Sequence, residues 1–151
     1  MKKTLGVIGL GYVGLPLAVA FSKKMDTIGF DISKERVKEL LELNDSTNEI
    51  SNVELKSVIG NKLRIYDEIQ KLKSCSYYII TVPTPINRDK SPDLNPLISA
   101  SNLIGRILKK GDIVIYESTV YPGLTEEICV PILEKVSKLK YNHDLMYNRD
   151  Q

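Results

Sequence analysis

Tryptophan is absent from this chain of 151 residues, and there are only two phenylalanines, two cysteines and one histidine. The missing tryptophan removes the usual intrinsic fluorescence probe of ligand binding. Cys75 and Cys129 do not form a CxxC pair, which leaves no thiolate metal motif and no disulfide framework. Both read as small core residues in a reducing cytosol. The lone histidine, His143, stands near the end of the chain and reads as a solvated loop residue. A formal net charge of +2 offers no basic surface for nucleic acid or an acidic membrane. No apolar run approaches the length of a membrane span. The first residues, Met1-Lys-Lys-Thr4, lead straight into a strand-like run with no signal-peptide core, so the expected location is the cytoplasm. No internal repeat and no low-complexity run is present.

What is there is ordinary in amount and ordered in pattern. Apolar residues make up 42% and charged residues 26%, as in soluble globular chains, and the length suits one domain. Short apolar runs alternate with helix-like runs, which predicts an α/β Rossmann-type open parallel sheet with helices on both faces. Strands are expected at 4–8, 27–31, 63–66, 77–82 and 113–117. Helices are expected at 14–23, from a Ser33 cap onward, around 53–59, at 95–109 and at 125–138. In the second helix Val37, Leu40, Leu41 and Asn44 should share a face. Asp67 is expected to cap a short helix, and Pro131 to kink the last helix or begin a new segment. The domain should span 3–140, followed by an irregular tail over 141–151.

Gly9-Leu-Gly-Tyr-Val-Gly14 sits between the first strand and first helix, and Asp31 follows Gly9 by 22 residues at the end of the second strand. That order is the fingerprint of a dinucleotide-binding βαβ unit. Gly9 permits the tight turn, Gly11 the close approach of a pyrophosphate, and Gly14 the packing of helix on sheet. The helix start offers free N–H groups and the positive end of a dipole to the phosphates. Asp31 suits the ribose hydroxyls and repels a 2′-phosphate, which points to NAD over NADP. Arg36 could in principle meet a 2′-phosphate; an arginine so placed is more often solvated or stacked on adenine. A glycine-rich turn can also be merely a connection, and it is the ordered context that argues otherwise.

Two further segments lie at the carboxyl ends of strands, where open parallel sheets bind ligands. Thr81-Val-Pro-Thr-Pro-Ile-Asn87 is stiffened by Pro83 and Pro85 and presents Thr84. Tyr116-Glu-Ser-Thr-Val-Tyr-Pro-Gly123 presents Thr119. Each could equally be a turn whose hydroxyls satisfy local backbone groups.

Together, GLGYVGLPLAVAF, FDISKERV, TVPTPINRDKSPDLNPL and YESTVYPGLTEE resemble the N-terminal domain of the UDP-glucose/GDP-mannose dehydrogenase family. The likeness leans to the bacterial branch acting on UDP-N-acetylhexosamines for surface polysaccharide, and covers about Lys3 to Asp144. It implies that Gly9, Gly11, Tyr12, Val13 and Gly14 hold the NAD pyrophosphate. Asp31 would bind the adenosine ribose with Arg36 beside it, and Thr84 would touch the cofactor. Thr119 would lie near the nicotinamide and position a water. No metal is implied. Family members oxidise a sugar C6 alcohol to a carboxylate with two NAD, through a cysteine thiohemiacetal and thioester.

The chain departs from that pattern in length. The family's nucleophilic cysteine, catalytic lysine, central helix and UDP-binding domain have no counterpart here. The last residues do not match the family's next motif, as an excised domain or a truncated gene would give. The expectation is NAD binding without turnover, with a UDP-sugar engaged only alongside the missing domain. Ile132, Leu133 and Leu139, near the last helix, are expected to be uncovered and to favour self-association. Another NAD-dependent dehydrogenase, or a non-catalytic NAD-binding module working with a partner chain, are the competing readings.

Overall fold

The computed structural model describes residues 2–118 and 121–144 and the backbone of 146–147. Strands β1 (Leu5–Ile8), β2 (Thr27–Phe30), β3 (Leu63–Tyr66), β4 (Tyr77–Ile80), β5 (Ile113–Tyr116) and β6 (Met146–Tyr147) form one sheet. Their order is β3-β2-β1-β4-β5-β6, and every neighbouring pair is parallel. The chain therefore winds outward from β1 in one direction and then from β4 in the other. The carboxyl ends of β1 and β4 meet where the winding reverses, and a crevice opens at such a point.

Parallel sheets need cover on both faces, and strand periodicity divides the side chains between two cores. Leu5 and Val7 of β1, Ile79 of β4, and Leu63 and Ile65 of β3 point to one side. There they meet Leu15, Ala18 and Val19 of α1 (Gly14–Ser22), Val37 and Leu40 of α2 (Lys34–Leu41), and Leu55 of α3 (Asn52–Val58). Ile8, Ile28, Phe30, Tyr78 and Ile80 point to the other side. Their cover is Leu97, Ala100 and Ile104 of α4 (Asn95–Gly105) and Leu133 of α5 (Val130–Ser137). Burying one leucine or isoleucine fully contributes about 2 kcal/mol, so each face is a substantial store of stability. The buried Tyr78 hydroxyl donates toward the carbonyls of Leu72, at 2.9 Å, and Cys75, at 3.2 Å, so its polar tip is satisfied. Cys75 itself is fully buried, and desolvation pushes its thiol up to about 12, which leaves it inert as a nucleophile.

The structure corrects several sequence expectations. Leu41 is 51% exposed because α2 ends there, and Leu43, at φ 63°, turns back to pack in its place. Asp67 caps nothing: the four-residue 3-10 turn Ile69–Leu72 starts from Glu68, with no side-chain cap. Pro131 does begin a new segment, as expected: upstream of it the backbone widens into a π-helical turn, Thr125–Cys129, and α5 begins with the proline in its first turn. Proline has no N–H for the carbonyl four residues back, so a new segment starting there is the expected remedy. The tail is not wholly irregular, since Met146–Tyr147 adds to the sheet beside β5. Leu133 is not uncovered but 3% exposed, and α5 packs tightly on α4, where a Cβ added at Gly105 would meet Val136 at 2.8 Å. Ile132 and Leu139 are half-buried, so the last helix lacks the bare apolar face expected of it. No helix among the described residues is long and apolar enough to cross a membrane.

Candidate functional site

The turn after β1 is built around three glycines, each with a different constraint. Gly9 adopts φ +96°, and a Cβ there would press the Thr81–Val82 backbone at 3.2 Å. Gly14 is more constrained: an added Cβ would lie 1.7 Å from the Gly9 carbonyl oxygen and 2.4 Å from the Thr81 hydroxyl. Its task is thus to let α1 close on the turn itself. Gly11 faces open space, with no atom within 4 Å of where a Cβ would be. That open position belongs to whatever approaches the backbone. The first turn of α1 contains no acidic residue, and Val13 supplies no side-chain cap. The Leu15 N–H is spent on the Gly11 carbonyl at 3.2 Å and Pro16 has no N–H, so within this first turn the Gly14 N–H is the donor left to an anion.

Thr81, just past β4, locks this turn to the sheet. Its hydroxyl is 2.7 Å from the Gly9 carbonyl and 3.0 Å from that of Ile8. The sequence pattern did not single it out for this task. A threonine at the end of an apolar strand, opposite a glycine turn, was the available signal.

Asp31 stands at the end of β2 with its carboxylate held from two sides. The Leu10 N–H donates to one oxygen and the Ser33 N–H to the other, both at 2.9 Å. Each oxygen keeps a lone pair for a further donor, which is what two ribose hydroxyls require. Arg36 is not solvated. Its Nε donates to the Leu10 carbonyl at 2.8 Å, one terminal nitrogen reaches Asp45 at 2.8 Å, and the other reaches Glu39 at 3.3 Å. Leu10 therefore ties Asp31 to Arg36 through its own peptide groups.

Asp45 is the group that sequence reasoning missed. It is 4% exposed and lies in the polar stretch after α2 that shows no periodicity. Besides Arg36 it accepts from the Thr47 N–H and hydroxyl and from the N–H groups of Glu49 and Ile50. Burial works against its charge, but the bonds from Thr47, Ile50 and Arg36 outweigh it and bring its pKa down to about 2. The Asp-Ser-Thr run is a turn-forming signature that could have marked it.

These parts border one cavity of about 520 Å³ at the crevice between β1 and β4. Gly9, Gly11, Tyr12, Asp31 and Arg36 line it together with Ile32, Ser46 and Thr47, while Pro96, Ser99 and Leu103 of the α4 side form the opposite wall. Tyr12 and Val13 are 69% and 56% exposed, and Val13 is not part of the lining. Thr84 is half-buried on the proline-rich loop and does not line the cavity either. Ser118 donates its hydroxyl to the Val82 carbonyl at 2.8 Å, bracing one strand end against the next. Thr119 lies outside the described residues. Among the described residues no group of three acidic, histidine or cysteine side chains could hold a metal ion.

The model of the UDP-glucose/GDP-mannose dehydrogenase family, NAD binding domain, matches residues 3–150. The chain belongs to this family. A UDP-N-acetyl-D-glucosamine 6-dehydrogenase of Pseudomonas aeruginosa is 56% identical over 140 residues, which is 93% of this chain and 33% of the relative. The enzyme of the same name from Salmonella typhi is 54% identical over 93% of this chain and 32% of its own length. Among solved structures, a UDP-D-ManNAc dehydrogenase from Pyrococcus horikoshii superposes with a TM-score of 0.88 at 33% identity, over 98% of this chain and 37% of that one. The chain thus spans about a third of the length of the relatives it matches.

The residues present fit the family's cofactor. An open backbone approach at Gly11, an uncapped helix start and a carboxylate aimed into the same cavity suit a pyrophosphate and a ribose.

Proposed function

We propose that this chain is the cofactor-binding part of an NAD-dependent nucleotide-sugar 6-dehydrogenase of the UDP-N-acetylhexosamine type. Such an enzyme would oxidise a C6 alcohol to a uronate for surface polysaccharide. The observation that carries this reading is the cavity at the β1–β4 crevice, where Gly11 and Asp31 border one space. NAD, when bound, would supply the hydride acceptor. The protein's own part is binding and orientation. The backbone N–H groups of the glycine turn and of Gly14 would hold the pyrophosphate, and Asp31 would accept from the ribose hydroxyls. Ile32 and Arg36, which line the same cavity, would border the adenosine end. Val13 and Thr84 would contact the cofactor at the rim, and Thr119 would orient a water near the nicotinamide.

This polypeptide is expected to bind NAD and not to turn over a nucleotide sugar alone. Calorimetric titration with NAD and with NADP tests the first point. Saturable binding with a clear preference for NAD supports the reading, and binding of neither overturns it. Incubation with NAD and UDP-N-acetylglucosamine tests the second point, with and without a separately produced chain carrying the remaining two thirds of a relative. Stoichiometric NADH from the pure chain alone would contradict it.

A further inference from the structure

We infer that Asp45 is a specificity-determining positioning residue, which with Glu39 keeps Arg36 committed to the protein and so denies it to a 2′-phosphate. This rests on the NAD reading above and extends it to a residue outside the glycine motif. An arginine at the adenosine end of such a cavity is the side chain that a 2′-phosphate would recruit. Here all three guanidinium nitrogens are engaged. Nε is spent on the Leu10 carbonyl, one terminal nitrogen on Asp45 and the other on Glu39 and the Ser46 hydroxyl. The pair is enclosed, with side-chain exposures of 11% for Arg36 and 1% for Asp45. Glu39 is itself fixed, because the Ser46 N–H donates to it.

The charge balance points the same way. Two carboxylates, Glu39 and Asp45, pair with this one guanidinium and a third, Asp31, borders the same cavity, so these four groups are net negative where a 2′-phosphate would add further negative charge. Discrimination therefore has two sources, repulsion by Asp31 and the withholding of Arg36. Only the first is visible in the glycine-to-acid spacing. The clamp also holds Ser46 and Thr47, which line the cavity, so one buried carboxylate sets both the loop and the arginine.

The test is calorimetric titration of the full chain with NAD and NADP in three forms: wild type, Asp45→Asn, and Asp45→Asn with Arg36→Met. The expected result is a fall of about tenfold or more in the NAD-to-NADP affinity ratio for Asp45→Asn, through tighter NADP binding. The gain should vanish in the double variant, since it needs the released guanidinium. A merely structural role for Asp45 would weaken both nucleotides alike and leave the ratio in place, which overturns the inference. A gain that survives loss of Arg36 overturns it too. Should Asp45→Asn fail to fold, Glu39→Gln carries the same test, with a ratio change of about threefold expected and no change overturning the inference. Wild-type protein that binds neither nucleotide overturns the NAD reading and this inference with it. A wild type that prefers NAD, beside an Asp45→Asn variant with the same preference, overturns this inference alone.

Discussion

The two sides of the cavity are held in different ways. On the β1–β2 side, Leu10, Asp31, Arg36 and Asp45 form one continuous set of hydrogen bonds, and both strands are buried along their whole length. On the β4–β5 side the proline-rich loop from Pro83 to Asp93 runs over the surface, and Ile86 and Tyr121 are 68% and 45% exposed. The first side is preorganised: its acceptors are fixed before any ligand arrives, so little ordering remains to be done on binding. The second side is shaped by stiff backbone and carries few fixed polar groups toward the cavity. On the proposed reading, recognition of a dinucleotide would therefore rest on the β1–β2 side, and the other wall chiefly supplies apolar surface from Pro96 and Leu103.

The largest effect expected within this contrast is at Gly14. A methyl group there collides with the Gly9 carbonyl, so Gly14→Ala should cost about 3 kcal/mol or more in urea unfolding and abolish NAD binding. Asp31→Ala comes next. It removes the ribose acceptor and leaves the Leu10 and Ser33 N–H groups without their partner, so NAD affinity by calorimetry should fall about thirtyfold, or ~2 kcal/mol. Gly11→Ala separates binding from folding. The open space around it predicts unfolding within about 0.5 kcal/mol of wild type, together with a loss of NAD affinity of more than about tenfold. Loss of stability comparable to that of Gly14→Ala would remove the distinction between the two glycines.

Acid should weaken the first side through Asp45. The Asp45 carboxyl is held at about 2, below its ordinary 3.8, so its contribution is complete at neutral pH and is lost as pH falls from about 4 through 2. The stability difference between wild type and Asp45→Asn should therefore be constant above about pH 5 and shrink below pH 4. A difference that does not change down to pH 2 would show that the carboxylate is not held in its charged form. The smallest effect is expected at Thr84, which lies outside the cavity lining. Thr84→Ala should change NAD affinity less than about threefold. A larger loss would move weight to the β4–β5 side and break the comparison.

The β1-turn-α1-β2 unit was the most legible part because its constraints are local. A tight turn needs glycine, a helix start tolerates Pro16, and a ribose needs an acid at one fixed chain distance. Strands β1 to β5 were legible for the same reason, since short β-rich apolar runs between polar turns have few other uses, whereas β6 fell in a tail read as irregular. The end of α2 was not, because Leu40 and Leu41 are equally apolar and only the reversal at Leu43 decides which of them faces the core. The fate of Leu133 was hidden too: whether a leucine on a terminal helix is covered depends on how closely α5 approaches Gly105 of α4.

Sequence alone determined the fold class, the glycine turn and the acid that answers it, because each depends on residues near one another in the chain. The tertiary structure decided what those residues do with their neighbours. Gly14 is required by the Gly9 carbonyl and the Thr81 hydroxyl, the latter 67 positions away, and not by the sheet in general. Arg36 is withheld from solvent because Asp45 is folded back beneath it. A buried carboxylate with five donors stays charged only when the chain brings all five to one point, and no local pattern of residues can state that.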